Sequence, residues 1–425
     1  MRADWCTQVP SFAAGLARLA FPATDQEHRL RSLLQHARDG GRVADHDLHH
    51  TDPALASGLD CVLARASDAF TRFDGNVAGA PIPVPGGAGA AVSPTRLETW
   101  ARSPFDYFME HVLRVEVPER PEEVYEISPL ERGSLVHEVL DQFFKEVLDR
   151  ADGAPFRNTW SATDRARLRA IGERHCDEYE ALGVTGRRVF WQRDRARILV
   201  ELDRFLDADT VQRDEQGLAT LATELRFGLP GATLPELEVL LSDGRAVHLR
   251  GAADRVDRAD DGTLWVIDYK TGKPFVLDHA DPCTAGRRLQ LPVYAHAARA
   301  AFGTDTTTDT TTGAASGSTT VGAAYWFVST VGNYKWEPLT LDDAVAQRFD
   351  IVVRTILDGI AGGVFPCAVD PPKLWNYRRR TYADPDDRGT RDRFREWQRK
   401  QHAPEVQPYV ALTPSGADHE PEEVA

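Results

Sequence analysis

Cysteine is scarce and poorly spaced for structural use. Five occur in 425 residues, Cys6, Cys61, Cys176, Cys283 and Cys367, with no Cys-x-x-Cys pair. An odd number at wide spacing argues against a disulfide framework and against a cysteine-rich zinc site. Long apolar runs are missing too. None reaches the ~18 residues that a membrane-spanning helix needs, so no membrane partner is expected. The stretch Met1 to Ala14 carries Asp4 and has no apolar core after a basic start, so it is not patterned as a secretory signal. A reducing cytoplasm is the expected compartment. An excess of positive charge is also lacking: 50 Lys and Arg against 65 Asp and Glu leave a net −15. That balance excludes coating of duplex DNA by bulk charge, so any nucleic-acid contact must come from a local basic surface or from bound metal. No Gly-x-x-x-x-Gly-Lys-Ser/Thr motif occurs, which leaves no signal for an ATP-driven motor.

What is present is globular. Hydrophobic residues make up 42% and charged residues 27%, and the length allows two or three domains. Residues 1–78 are loosely patterned and helical, at 11–19 and 28–36. The Gly- and Pro-dominated stretch 79–90 reads as a linker. Ser93-Pro94 then opens a helix rich in aromatics. Amphipathic spacing predicts helices over 132–148, 162–182 and 193–206, then strands over 221–228, 238–241, 246–255 and 264–270. A helix over 289–301, a strand over 321–329 and a helix over 342–360 follow. Residues 303–320 are a Thr-rich, low-complexity loop with no apolar face, expected to be disordered, and 403–425 read as a tail.

The sharpest signal is Arg250-Gly-Ala-Ala-Asp254-Arg-Val-Asp257, then Asp260-Asp-Gly262, then Val266-Ile-Asp268-Tyr-Lys270-Thr-Gly. Asp-Asp-Gly makes a three-residue hairpin loop with glycine at the left-handed position. A hairpin centred on Asp261 sets Asp254 opposite Asp268, and strand alternation puts Lys270 on the same face as Asp268. Like charges directly opposed are destabilising unless something offsets them. A hard divalent cation does so, since Mg²⁺ is commonly held by one or two carboxylates with waters and phosphate oxygens. Lys270 can then stabilise developing charge or orient a water.

These segments resemble motifs II and III of the PD-(D/E)XK nucleases, in their RecB-type branch. Arg132-Gly-Ser-Leu-Val-His137 is similar to the branch's helix with a metal-ligating histidine, and Gln290-Leu-Pro-Val-Tyr294 to its Q-x-x-x-Y helix motif. Ser93 to Phe108 resembles its opening segment. The resemblance covers about 91–402 and looks closest to the C-terminal nuclease region of AddB-like helicase–nuclease subunits. It implies an α/β fold, a mixed sheet flanked by helices over 91–402. Residues 1–78 would then be the remnant of a helicase-like region. It implies Mg²⁺ or Mn²⁺ bound by His137, Asp254, Asp268 and the Tyr269 carbonyl, with Asp254, Asp268 and Lys270 catalytic. It also implies that Gln290 and Tyr294, which share a helix face, contact DNA phosphate or the nucleophilic water; the alternative is ordinary helix packing with a polar edge. Glu224, on a preceding strand, reads as a solvated acid.

Residues 373–402 carry ten Lys and Arg, among them Arg378, Arg379 and Arg380, against five acids, with Trp375, Tyr377, Tyr382, Phe394 and Trp397 interleaved. Such a mixture suits single-strand stacking and phosphate tracking, and it equally suits a solvated helix with buried aromatics. The branch's four-cysteine iron–sulfur cluster is not expected. Its first cysteine position is Ser103, two more match Tyr377 and Arg380, and an Fe–S cluster needs thiolates. The expected function is metal-dependent DNA cleavage, an exonuclease on single-stranded ends in repair and recombination, beside a helicase subunit. The alternative is a non-catalytic DNA-binding or scaffold subunit. Loss of the cluster cysteines points that way; the presence of His137, Asp254, Asp268 and Lys270 points to catalysis.

Overall fold

The computed structural model describes residues 8–116, 124–151, 154–303, 319–368 and 390–412. Arg378, Arg379 and Arg380, and nearly all of the Thr-rich stretch, lie outside the described residues. The first described helices are α1 (Phe12–Leu16), α2 (Asp25–Arg38), α3 (Asp47–Thr51) and α4 (Pro53–Ala66). α5 (Pro94–Arg102) and α6 (Pro104–Tyr107) follow, each with proline in its first turn and serine as its N-cap.

Three long helices come next. α7 (Pro129–Arg150) buries the stripe Leu135, Val136, Val139, Leu140, Phe143, Phe144 and Val147. α8 (Ala162–Leu182) starts on a Ser161/Asp164 capping box and stops at left-handed Gly183. α9 (Arg188–Gln216) stops at left-handed Gly217 and runs well beyond the expected 193–206 at both ends. Gly172 lets α8 approach α9, because a Cβ there would lie 2.9 Å from Leu202.

The main sheet is mixed. Its strands are β1 (Ala219–Phe227), β4 (Gly251–Arg258), β5 (Leu264–Lys270), β6 (Val321–Phe327) and β7 (Trp336–Thr340), side by side in that order. Only the β5–β6 pair is parallel, joined by the crossover helix α10 (Gln290–Phe302). β2 (Leu237–Leu240) and β3 (Ala246–Leu249) form a separate hairpin. The expected strand 246–255 is therefore two strands in two sheets, divided at Arg250, whose N–H donates to Val92 O.

Two apolar layers sandwich the sheet. Ile267, Tyr269, Trp326 and Val328 pack with α7, α8 and α9. Val256, Val266, Ala323, Tyr325 and Phe327 pack with α5, α10 and α11 (Asp343–Ala361). The last described helices are α12 (Thr390–Lys400) and α13 (Gln407–Leu412).

Two boundary expectations need correction. The 79–90 stretch is docked rather than free. Pro85 and Gly86 are buried, Gly86 O accepts from His248 N at 2.8 Å, and Gly86 has the positive φ its turn requires. Residues 403–412 are no tail: Val406, Tyr409 and Leu412 are buried, and the Tyr409 ring meets Trp100 edge-on at 5.5 Å.

Candidate active site

The β4–β5 ladder pairs Arg255 with Ile267, Val256 with Val266, Asp257 with Trp265 and Arg258 with Leu264. Continued by one residue, that register sets Asp254 opposite Asp268. Gly262 takes φ +87° in the intervening turn. Asp254 Oδ2 accepts from the Tyr269 N–H at 2.6 Å, and Asp254 Oδ1 lies 3.0 Å from His137 Nδ1. The other imidazole nitrogen, Nε2, lies 3.0 Å from Tyr269 O. α7 thus delivers His137 onto the point where β4 and β5 separate. Tyr269 holds its main chain there by burying its ring against Phe205 and Trp326.

Both atoms facing the imidazole are oxygen acceptors, and only the doubly protonated ring donates to both. Burial works against that charge. The bonded Asp254 carboxylate and nearby Asp268 outweigh it, so the His137 pKa is raised. Asp268 is almost wholly buried, and burial raises its pKa against the pull of Lys270. Lys270 Nζ is 2.7 Å from Asp268 Oδ2 and donates to Gln290 Oε1 at 2.9 Å. Burial alone would lower the Lys270 pKa, but Asp268 raises it, so the ammonium persists.

Among the described residues no three His, Cys, Asp or Glu side chains form a ready-made metal cage. The donors are instead one imidazole, carboxylates from two strands and a main-chain carbonyl. They fit a small hard cation. Oxygen ligands with one imidazole are the donor types that hold hard divalent cations such as Mg²⁺. The imidazole and carboxylates also suit Mn²⁺.

Gln290 joins the site through Lys270. Tyr294 does not line an open surface. It is 6% exposed and packs against Gly251 and Phe227, and after burial the charges of Asp268 and Asp254 raise its pKa, which places it beside the paired acids. A Cβ on Gly251 would lie 3.0 Å from the Tyr294 ring, which accounts for glycine there. Glu224 has left-handed backbone (φ 48°) and is not a freely solvated acid. Burial raises its pKa, followed by the charges of Asp254 and Asp141. The described end of the basic segment also packs inward. Trp397 meets Tyr409, and buried Lys400 donates to Ala64 O and Ala69 O and pairs with Asp74. Ser103, at the first cluster-cysteine position, uses its hydroxyl to cap α6.

Sequence reasoning missed three supporting groups. Behind β4, the Arg255 guanidinium pairs with Asp257 and Asp209, all fully buried, and Asp209 also takes the Trp160 indole N–H. Alternation along β4, which turns Arg255 and Asp257 away from Asp254, was the available signal. Thr223 Oγ1 donates to Asp254 O at 3.0 Å and lies 3.1 Å from Asp141 Oδ1. Glu98 lies buried beside the start of α10, and its place on the apolar face of α5 was the available signal.

The PD-(D/E)XK nuclease superfamily model matches residues 91–372, more than half of the chain. The chain is 34% identical over 215 residues to an ATP-dependent helicase/deoxyribonuclease subunit from Lacticaseibacillus casei (strain BL23), covering 48% of this chain and 17% of that protein. It is 26% identical over 243 residues to the protein of that name from Acetivibrio thermocellus, covering 55% and 20%. The protein of that name from Clostridium perfringens (strain 13 / Type A) is 26% identical over 213 residues, covering 48% and 17%. The chain spans a fifth or less of the length of these relatives. With the mixed five-stranded sheet, the family match establishes that this chain belongs to the PD-(D/E)XK nuclease superfamily.

Proposed function

We propose that the protein is a divalent-metal-dependent nuclease that hydrolyses DNA phosphodiesters, with single-stranded ends as its substrate. The observation that carries this reading is the meeting of His137, Asp254 and the Tyr269 main chain, beside the Asp268–Lys270 pair, where β4 and β5 separate. His137, Asp254, Asp268 and the Tyr269 carbonyl would hold Mg²⁺ or Mn²⁺. The chemistry such an ion supplies is polarisation of a phosphoryl oxygen and a lowered pKa of an attacking water.

The chain's own groups do the rest. Asp268 and Gln290 hold the Lys270 ammonium in one place, where it stabilises charge developing on the phosphoryl group or orients the water. Water oxygen bonds to phosphorus as the bridging P–O bond breaks, the attacking water loses its proton to solvent, and the departing sugar oxygen takes a proton from solvent to leave as a hydroxyl. Thr223 and the Arg255 cluster fix the backbone that carries Asp254. Gln290 sets Lys270 through its carbonyl oxygen, which leaves its amide N–H groups to meet DNA phosphate.

The relatives are subunits of helicase/deoxyribonucleases. We therefore place this chain beside a helicase that delivers single strands, in DNA repair and recombination in the cytoplasm. No described helix is long and apolar enough to cross a membrane. The test uses end-labelled linear and circular single-stranded DNA, with Mg²⁺, Mn²⁺ or EDTA. Linear strands should be shortened with either ion, circles spared, and EDTA should stop cleavage. Undiminished cleavage in EDTA would refute metal dependence, and loss of circles would refute the requirement for an end.

A further inference from the structure

Glu98 stands on the buried face of α5 with Leu97, Trp100 and Ala101, and is 5% exposed. A carboxyl group in that position costs several kcal/mol unless it is bonded. Its bond is to the main-chain N–H of Leu289, 2.6 Å away and 191 residues along the chain. Leu289 is the residue before α10, and no side chain of its own caps that helix. Pro292, in the first turn, offers no N–H. Glu98 therefore caps α10 from another helix, where a carboxylate is also favoured by the helix dipole. The next residue, Gln290, accepts from Lys270 Nζ at 2.9 Å, and Lys270 Nζ is 2.7 Å from Asp268. An unbroken series of contacts runs from α5 to the reactive end of β5.

We infer that Glu98 is a positioning residue: its bond to Leu289 holds the first turn of α10, which fixes Gln290 and, through it, the Lys270 ammonium. This rests on the proposed nuclease reading for its consequence in rate, but not for the tether itself. Charge acts in the same sense. Burial pushes the Glu98 carboxyl up to about 7, while the Leu289 bond, Lys270 and Arg102 draw it down and Asp268 raises it. Lys270 thus lies in the field of Asp268, Asp254 and Glu98. An apolar side chain would fill the same face of α5 without the cost of burying a carboxyl group, but it could not hold Leu289. Misplacing a catalytic group by ~1 Å can cost on the order of 100-fold in rate.

The test uses the whole chain with three substitutions. Glu98→Gln keeps the reach and an acceptor oxygen but loses the charge. Glu98→Asp keeps the charge but is one methylene short. Glu98→Ala loses both. With Mg²⁺ and end-labelled single strands, Ala and Asp should each lower kcat by about tenfold or more, with KM unchanged within about twofold. Gln should restore kcat to within about threefold of the wild type. Two readouts need no catalysis. Amide exchange over residues 287–296, and acetylation of Lys270 by acetic anhydride, should both quicken in Ala and Asp and stay at the wild-type rate in Gln. If Ala does not fold, the Gln–Asp contrast decides. Wild-type kcat, exchange and labelling in the Asp variant would overturn the inference, as would equal loss in Gln and Asp. If the wild type itself does not cleave, the nuclease reading fails, and exchange and labelling alone decide the tether.

Discussion

His137 sits between a carboxylate and a carbonyl oxygen, an arrangement that asks for positive charge at the ring or in its place. On the other side of β4 the same demand is met permanently by Arg255. Its guanidinium answers Asp209 and Asp257 in a fully buried cluster, with the Phe144 ring 4.6 Å from its carbon. The two faces of one strand thus separate function from support. Taking the cation from a buried set leaves uncompensated charge, at a cost of ~3–5 kcal/mol. Arg255→Met should lower the unfolding free energy by about that much, read from the denaturant midpoint. An unchanged midpoint would mean that the cluster contributes nothing to stability. Asp254, Asp268 and Lys270 were legible in the sequence because alternation and the turn fix their relations locally. Asp209 was not. It lies in 207–216, whose polar residues look solvated until the partner on β4 is placed beside them.

At the scale of elements, the helices and strands were legible in type, and the errors fell where distant contact decides. α9 extends to Gln216 because Asp209 and Arg213 bury their charges with Arg255, Trp160 and each other. The 246–255 strand breaks because Arg250 bonds to Val92 rather than continuing either sheet. α11 and α5 meet through a glycine that no local pattern singles out. A Cβ on Gly359 would lie 2.1 Å from Trp100 Cζ2, well inside contact, and Trp100 is itself locked by Tyr409 and by its indole bond to Val364 O. Overpacking of this kind costs ~1–3 kcal/mol. Gly359→Ala should lower the melting temperature by several degrees, measured by calorimetry, without changing the metal requirement of cleavage. An unchanged melting temperature would show that Trp100 yields freely.

In the whole molecule, the segment that follows the N-terminal helices is docked onto the nuclease fold. Phe70 packs on Ala403 and Val406, Val77 N donates to Gly363 O, Phe365 N donates to Gly75 O, and Lys400 is enclosed by Ala64, Ala69 and Asp74. Composition hid this, because the intervening Gly and Pro read as a spacer when they form docked turns. Removing residues 1–78 should therefore lower the melting temperature and speed amide exchange in α12 and α13. Identical values in the shortened chain would show the segment to be independent. Most of α2 and α4 remains exposed, with Val62 and Leu63 on the surface, so the docking is through residues 64–77 rather than through the helices before them.

DNA hydrolysis at the β4–β5 junction depends on Asp268, the acid opposite Asp254 that pairs with Lys270. The direct measurement compares wild type and Asp268→Asn for release of labelled nucleotide from single-stranded DNA in Mg²⁺, with matched melting temperatures. Wild-type cleavage with loss of at least about 100-fold in the variant is the predicted result. Equal cleavage by the two proteins would show that this junction is not the hydrolytic site.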